Sequence, residues 1–212
     1  MSKHMFYPKI DTLFNRGENF KVIPGEYRQE EFEYINKWLV TEKLDGTNLS
    51  LIYTNSYFGN FRGRTENAQF NDKQRTFLSN LVQDRIIRGC RIANDYNLES
   101  LEIFGEFFGA GIQNGGKYGD MQFRVYDMRV DEKTWLDHES VLSNCERLGL
   151  EHVPYWPDLV TTDDIVGLVE NGFQSLVPNS MIDSEGVVLK TPKPLYDQRG
   201  KRIIAKIKHR DF

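Results

Sequence analysis

The sequence has few cysteines and no long apolar run. Its 212 residues contain only Cys90 and Cys145, too few for a disulfide framework or a tetrahedral zinc site. No apolar stretch approaches the roughly 18 residues that a membrane-spanning helix needs, and the N-terminal segment lacks the apolar core of a signal peptide. We therefore expect a cytoplasmic protein with no membrane partner, and we expect it to act as a monomer.

Basic residues are also in the minority, with 27 Lys and Arg against 31 Asp and Glu, a formal net charge of −4. That total argues against a nucleic-acid partner, but phosphate contact depends on where the basic groups lie. Positions 186–212 contain eight Lys or Arg beside only Asp197 and Asp211. This segment is either a surface that contacts a polynucleotide backbone or a solvated basic tail.

Hydrophobic periodicity predicts an α+β protein built around antiparallel sheets. Alternation predicts strands at 38–43, 47–54, 57–64, 100–108, 121–130, 186–190 and 202–208. Three- and four-residue spacing predicts helices at 72–89, 137–148 and 162–170, with Gly89 ending the first and Gly149 following the second. The dipeptide Asp45-Gly46 favours a tight hairpin between the first two strands. We expect one domain that spans residues 1–212.

The run TEKLDGTN places Lys43 at a strand end, two residues before Asp45. A lysine attacks only as the neutral amine, and burial and neighbouring cations favour loss of its proton. This pattern therefore fits a covalent nucleophile. An exposed lysine at a hairpin would give the same local sequence.

Two further motifs place charge on short strands near the C-terminus. Glu185 enters an apolar strand that ends on Lys190, so alternate side chains could face a phosphate or metal site. Lys206 and Lys208, two residues apart, should point to one face of a strand and could clamp a phosphate. The alternative is an exposed strand with a polar side.

Two aromatic strands carry further candidates. Glu106 lies between aromatics in FGEFFG, where it is either a hydroxyl acceptor or a buried acid satisfied by the backbone. Phe123 opens FRVYD and could stack on a purine, since such stacking contributes about 1–3 kcal/mol. It could equally be a core residue.

The order of the motifs is more informative than any one of them. KLDG, GRT, GEFFG, FRVYD, EGVVLK and KIK follow one another from Lys43 to Lys208. This order resembles the covalent nucleotidyltransferase superfamily of DNA ligases, RNA ligases and mRNA capping enzymes. The resemblance implies the ligase adenylation fold, with antiparallel sheets and flanking helices.

The resemblance also implies a role for each matched residue. Lys43 would attack the α-phosphate of ATP and carry AMP, while Asp45 and Glu185 would hold Mg²⁺ or Mn²⁺. Among the implied nucleotide contacts, Asn48 and Arg64 would bind phosphates, and Lys206 and Lys208 would bind the α-phosphate. Glu106 would bind the ribose, and Phe123 would stack on the base. Glu42 and Lys190 would also belong to the nucleotide-binding set.

Asn48 bears on the branch of the superfamily. DNA ligases and capping enzymes usually carry Arg at this position, whereas the phage and kinetoplastid-editing RNA ligases carry a GTN or GAN stretch; those enzymes, however, often have His in place of Asp45. The chain stops four residues after Lys208, so we expect no OB-fold domain. The resemblance thus implies an RNA ligase that joins 5′-phosphate and 3′-hydroxyl ends. The alternatives are a minimal DNA ligase, a GTP-using capping enzyme, or a catalytically silent module that binds nucleic-acid ends.

Overall fold

The computed structural model describes residues 6–65, 67–113 and 115–212. The chain divides into two compact units. Unit 1 takes its residues from 1–8, 46–116 and 120–152, and unit 2 from 9–45, 117–119 and 153–212. The single domain expected from the sequence stays a prediction.

The structure is mixed α+β, which confirms the predicted class. Its strands are β1 (Asp11–Thr12), β2 (Phe14–Arg16), β3 (Val22–Tyr27), β4 (Lys37–Glu42), β5 (Thr47–Thr54), β6 (Gly59–Gly63), β7 (Ser100–Phe108), β8 (Gln122–Val130), β9 (Thr134–Trp135), β10 (Glu151–His152), β11 (Val160–Thr161), β12 (Gly186–Lys190) and β13 (Ile204–Lys208). Its helices are α1 (Glu30–Glu33), α2 (Asp72–Gln83), α3 (Ile86–Asp95), α4 (His138–Leu148) and α5 (Thr162–Asn171), with 3₁₀ turns at Gly115–Tyr118 and His209–Asp211.

Unit 1 is built on a six-stranded sheet in the order β10-β8-β7-β5-β6, with β9 beside β8. One face carries apolar residues such as Leu51, Ile103 and Val125, which form a core with residues of α2, α3 and α4. Because side chains alternate along a strand, the opposite face carries Asn48 and Glu106, which are paired across β5 and β7.

Unit 2 is built on a five-stranded sheet in the order β1-β13-β12-β4-β11. Only β1 is parallel to its neighbour, β13. Val40, Val187 and Ile207 pack with Ile165 and Val169 of α5 in the core of this unit. The other face of the sheet is therefore left to the residues between them, and these include the C-terminal lysines.

The predicted hairpin between β4 and β5 is wrong. Strand β4 pairs with β11 and β12, whereas β5 pairs with β6 and β7. A Cβ added at Gly46 would lie 2.4 Å from the Phe107 carbonyl oxygen and 2.7 Å from Cβ of Phe108. Glycine is needed at this position because the backbones approach closely, not because the chain makes a hairpin turn.

The predicted single helix 72–89 is wrong in two respects: it is interrupted after Gln83, and Gly89 does not end it. The structure has α2 and α3 in its place, separated at Asp84 and Arg85, and Gly89 lies inside α3. A Cβ at Gly89 would meet the Tyr53 ring at 2.4 Å. This glycine therefore allows the helix to pack against β5 and does not end it.

The two later helices agree with the prediction. Helix α4 ends on Gly149 in the left-handed conformation, with φ 65°, as expected for a C-terminal glycine. Helix α5 begins after Thr161, whose hydroxyl accepts the Asp164 N–H at 3.2 Å. Within the described ranges, no helix is long and apolar enough to cross a bilayer.

Candidate active site

Lys43 lies immediately after β4 and forms an ion pair with the carboxylate of Glu185. Its backbone N–H donates to the Gly186 carbonyl at 2.9 Å, which fixes the side chain beside β12. The Lys43 ammonium pairs with one oxygen of Glu185, and the Lys208 ammonium pairs with the other. One carboxylate is thus shared by two cations, and the Lys43 side chain keeps 23% of its surface exposed.

The two ammonium groups determine the charge state of Glu185. Burial alone would raise the pKa of Glu185, but the charges and hydrogen bonds of Lys43 and Lys208 hold this pKa below its usual range. The pKa of Lys206 is lowered, first by burial and then by the positive charges of Lys208 and Lys43. The site therefore combines Glu185, whose ionised form is favoured, with Lys206, whose charged form is less favoured than that of an ordinary lysine.

Strand register explains why the lysines converge. Lys208 pairs with Gly186, and Lys206 pairs with Val188. Val188 in turn pairs with Thr41, two residues before Lys43. Since paired residues of antiparallel strands point to the same face, both C-terminal lysines lie on the face of the sheet that leads to Lys43. The prediction that Lys206 and Lys208 share a face is confirmed.

Gly186 lets the chain turn sharply after Glu185. Its φ is +148°, and a Cβ there would lie 2.2 Å from the Ile207 carbonyl oxygen and 2.6 Å from Cα of Lys208. The buried Ser184 hydroxyl accepts the Gly186 N–H at 3.3 Å. No side chain larger than hydrogen fits at Gly186, and sequence analysis assigned no role to Ser184.

Asp45, a predicted metal ligand, also belongs to unit 2. Its backbone N–H donates to the hydroxyl of Tyr118 at 3.3 Å. Burial raises the pKa of Tyr118 to about 12, against the effect of that hydrogen bond and with support from nearby carboxylates such as Glu185. Tyr118 is therefore a neutral hydroxyl at working pH. Sequence analysis missed it because it lies in a glycine-rich link without periodicity.

Two residues assigned to nucleotide binding are buried in unit 2. Glu42 is paired with the core residue Val187, and its Oε2 accepts the Leu176 N–H at 2.8 Å. It therefore lies on the core face, so this geometry does not favour the predicted nucleotide contact. Lys190 is paired with Ile204 on the same face as Lys206 and Lys208, but it is only 5% exposed.

In unit 1, a row of polar residues crosses the sheet opposite the core. Asn48 pairs with Glu106, and Glu106 pairs with Arg124. The Asn48 side-chain amide donates to the hydroxyl of Tyr126, and Arg124 forms an ion pair with Glu151 at 2.6 Å. The structure thus brings two predicted nucleotide ligands, Asn48 and Glu106, to adjacent positions.

Arg64 contributes positive charge near Tyr126 in unit 1. It lies exposed just after β6. Burial raises the pKa of Tyr126 well above its ordinary value, the charges of Tyr7, Glu106 and Asp127 raise it further, and Arg64 opposes them. Arg64 is therefore close enough to the Tyr126 hydroxyl to influence it.

Phe123 lies apart from these residues. It pairs with Phe107 and is 6% exposed in the core of unit 1, on the sheet face opposite Glu106. A bulge in the pairing of β7 with β8 accommodates one extra residue, Tyr126, and its hydroxyl accepts from Asn48. Alternation along the strand places residues 123 and 126 on opposite faces, but it does not say which face is the core. The stacking role of Phe123 stays a prediction.

Tyr7 is a further residue that sequence analysis missed. Its hydroxyl donates to Oδ2 of Asp127 at 2.9 Å. Its ring packs edge-on against Tyr126 and Trp135, with centroids 5.0 and 5.3 Å away. A single tyrosine ahead of the first strand has no periodic signal, although here it supports the Tyr126 ring.

The donor atoms suit a hydrated metal ion more than a caged one. Across the described ranges, no group of three or more His, Cys, Asp or Glu side chains is arranged to hold a metal. Mg²⁺ does not need such a group, because it keeps several waters and binds through one or two carboxylates together with substrate phosphates. The ionised Glu185 carboxylate fits that mode of binding, and Asp45 lies two residues after Lys43.

A family model matches most of this chain, and solved structures share its fold. Residues 36–208 match the family model described as RNA ligase. Three mutant forms of the Naegleria gruberi RNA ligase have a similar fold. The form with ATP and Mn is 19% identical with a TM-score of 0.67, over 98% of this chain and 57% of that one. The form with AMP and Mn is 18% identical with a TM-score of 0.67, over 100% and 60%.

The third form, which is apo, is 20% identical with a TM-score of 0.63, over 96% of this chain and 61% of that one. Such identities show a shared fold alone. The chain spans about three fifths of the length of these solved structures.

Proposed function

Because the chain belongs to the RNA ligase family, we propose that it is an ATP-dependent RNA ligase that carries AMP on Lys43. The observation that carries this proposal is the ion-paired cluster of Lys43, Glu185 and Lys208. It combines a partly exposed lysine with an ionised carboxylate and a further cation. The ATP, AMP and Mn in the related structures support the choice of nucleotide and metal.

In the first step, the amine of Lys43 attacks the α-phosphorus of ATP. A nitrogen–phosphorus bond forms while the bond to the oxygen that bridges to the β-phosphate breaks, and pyrophosphate leaves. Lys43 must first lose the proton with which it pairs to Glu185. Lys206 and Lys208 supply positive charge where the phosphate oxygens become more negative.

The next two steps transfer AMP to the RNA and seal it. An oxygen of the RNA 5′-phosphate attacks the same phosphorus, which returns Lys43 as a free amine and leaves AMP on the RNA through a pyrophosphate linkage. A 3′-hydroxyl then attacks the 5′-phosphate, loses its proton and displaces AMP. Both steps depend on positioning and charge, as phosphoryl transfer generally does.

Glu185 would hold the divalent metal, with Asp45 as a second carboxylate. Mg²⁺ or Mn²⁺, when bound, neutralises charge on phosphate oxygens. Because Lys43 and Lys208 keep the pKa of Glu185 low, the carboxylate stays ionised and able to bind a cation throughout the neutral range.

In unit 1, we assign Asn48 and Arg64 to phosphate contacts and Glu106 to the ribose hydroxyls. For the ring that stacks on the base, the placement of side chains favours Tyr126 over Phe123. Tyr126 accepts a hydrogen bond from Asn48, whereas Phe123 lies in the core.

Transfer of label from ATP to the protein tests this function directly. The purified protein is incubated with α-³²P-ATP or α-³²P-GTP and Mg²⁺, and labelled protein is separated on a denaturing gel. We expect label from ATP only, and sealing of a nicked duplex whose 3′-hydroxyl strand is RNA. Label from GTP would indicate a capping enzyme, preference for an all-DNA nick would indicate a DNA ligase, and no label would indicate a silent binding module.

A further inference from the structure

A row of paired residues crosses the five-stranded sheet of unit 2 and ends on Tyr155. The pairs are Thr12 with Lys206, Lys206 with Val188, Val188 with Thr41, and Thr41 with Tyr155. Because residues paired across strands share a face, Tyr155 lies on the face that carries the lysine cluster. Thr41 lies between Tyr155 and Val188 in this row, and Lys43 follows Thr41 by two positions.

The backbone on both sides of Tyr155 is fixed to β4. Glu42 N–H donates to the Pro154 carbonyl at 2.8 Å, and Trp156 N–H donates to the Val40 carbonyl at 3.0 Å. Trp156 packs against the core of unit 2. Since neighbouring residues in extended chain point to opposite faces, this packing independently turns the Tyr155 side chain towards the lysine face.

Tyr155 is also the open end of this row. Its side chain is 38% exposed, whereas its pair Thr41 is 1% exposed. A ring whose backbone is held on both sides and whose side chain is partly exposed can meet a ligand at little cost in conformational entropy. On the same face, Lys43 follows Thr41, the pair of Tyr155, by two positions, while Lys206 lies two strands beyond Thr41. A ligand that contacts both the ring and these lysines needs a planar ring within one nucleotide's length of a phosphate.

We propose that Tyr155 stacks on a nucleobase whose phosphate is bound by the lysine face of unit 2. This proposal rests on the proposed function, because it identifies a further contact of the same polyphosphate or polynucleotide substrate. The base belongs to ATP or to the nucleotide at the RNA end, and the same ring chemistry serves either source.

Equilibrium binding separates the two sources and does not depend on catalysis. Calorimetry with a non-hydrolysable α,β-methylene ATP analogue measures the affinity for ATP. Anisotropy with a fluorescent 5′-phosphorylated RNA measures the affinity for the RNA end. Tyr155→Ala should weaken one of them roughly 5- to 150-fold, the range expected for loss of a stacked base. Tyr155→Phe should bind within about twofold of the unchanged protein, whereas Tyr155→Leu, which keeps apolar bulk without the ring, should not.

Two controls distinguish stacking from a structural role. Tyr34→Ala removes another tyrosine of unit 2, one that is 73% exposed, and should change neither affinity. Inorganic tripolyphosphate, which has no base, should bind Tyr155→Ala as tightly as the unchanged protein. An equal loss for tripolyphosphate, or unchanged affinity for both the ATP analogue and the RNA, overturns the proposal. A protein that binds these ligands but takes no label from ATP would contradict the proposed function alone.

Discussion

Each unit places one glutamate between two basic side chains, but the cations differ. The two arrangements are Glu185 between Lys43 and Lys208 in unit 2, and Glu102 between Arg62 and Arg129 in unit 1. In unit 1, Glu102 and Arg129 are 3% and 1% exposed, and in unit 2, Glu185 and Lys43 are 19% and 23% exposed.

In unit 1, two aromatic rings also pack against the buried Arg129 guanidinium. The Arg129 guanidinium lies 5.3 Å from the Phe104 ring centroid and 5.1 Å from that of Trp135. An arginine is not deprotonated in proteins, and its planar group suits buried carboxylates. Lysine has a compact ammonium that can lose its proton and then attack. The cations of unit 1 therefore keep their charge at all working pH values, whereas a lysine of unit 2 can lose its proton and react.

The largest expected effect comes from making the unit 2 cluster more like that of unit 1. Lys43→Arg keeps a cation beside Glu185 but removes the nucleophilic amine, so covalent AMP labelling should be abolished while unfolding by urea changes little. The variant should still seal RNA that is supplied already adenylated, at least in part. Lys73→Arg, an exposed position on α2, is the matched control and should label normally. Labelling by Lys43→Arg would remove Lys43 from the mechanism.

The next largest effect concerns the carboxylate of unit 2. Glu185→Gln keeps the size of the side chain but cannot hold a divalent cation with full charge. We expect labelling to fall about 100- to 1,000-fold, as when one well-placed electrostatic contact is lost. EDTA should abolish labelling of the unchanged protein. If the Gln variant labels at an undiminished rate with Mg²⁺, Glu185 has been misassigned.

The equivalent substitution in unit 1 should act on stability. Glu102→Ala leaves Arg62 and the fully buried Arg129 without their carboxylate, and breaking a buried ion pair in this way costs about 3–5 kcal/mol. Urea unfolding would measure that loss, and Glu185→Ala, in a more exposed cluster, should lose much less. Comparable losses for the two would show that exposure does not distinguish the clusters.

The two clusters also differ in how well the sequence predicted them. Lys206 and Lys208 could be placed on one face because that inference needs only the period of a single strand. The network around Glu102 and Arg129 gave no signal, since its members come from separate strands. Local patterns predict which residues share a face, whereas the partners depend on strand pairing.

The same limit explains the errors. Asp45-Gly46 suggested a hairpin because dipeptide preferences are local, but Gly46 is required by its close approach to Phe107 and Phe108. Phe123 was favoured over Tyr126 because a strand pattern does not say which face is the core, whereas strand pairing places Phe123 against Phe107 in the core. The conformation of Gly149 at a helix end was predictable, since that requirement lies within the helix itself.

A smaller effect on stability is expected from Lys206. Its pKa is lowered from the ordinary value, so the protonated form is disfavoured by folding. The resulting cost is present below the folded pKa and disappears as pH rises through it towards about 10.4, the value for an unfolded lysine. Lys206→Met should therefore stabilise the protein at pH 7 by about 0.5–2 kcal/mol and reduce AMP labelling.

Urea unfolding at pH 7 and pH 10 measures this difference, which should shrink at the higher pH. Lys206→Arg, which keeps the charge, is the control and should not stabilise. A Met variant that is less stable at pH 7 would show that the charge of Lys206 is favourable in the folded protein.

The smallest effect extends the comparison of buried and exposed cations to the C-terminal basic segment. Lys190 and Arg202 are 5% and 7% exposed, so they are poorly placed for the polynucleotide contact that the sequence suggested. Lys193 and Arg199 are exposed, and we expect them to contact RNA phosphates. Replacing either with Ala should reduce the slope of log affinity against log salt by about 0.7–0.9, the value for one released phosphate contact.

Anisotropy titrations with 5′-phosphorylated RNA at several salt concentrations measure these slopes, and AMP labelling of the same variants should stay unchanged. Lys73→Ala removes an exposed cation from α2 in unit 1 and serves as the charge-matched control. A purely global effect of net charge would flatten the slope equally in all three variants. A loss confined to Lys193→Ala and Arg199→Ala would instead locate the phosphate contacts on the segment between β12 and β13, because only there does neutralising a cation remove a specific contact.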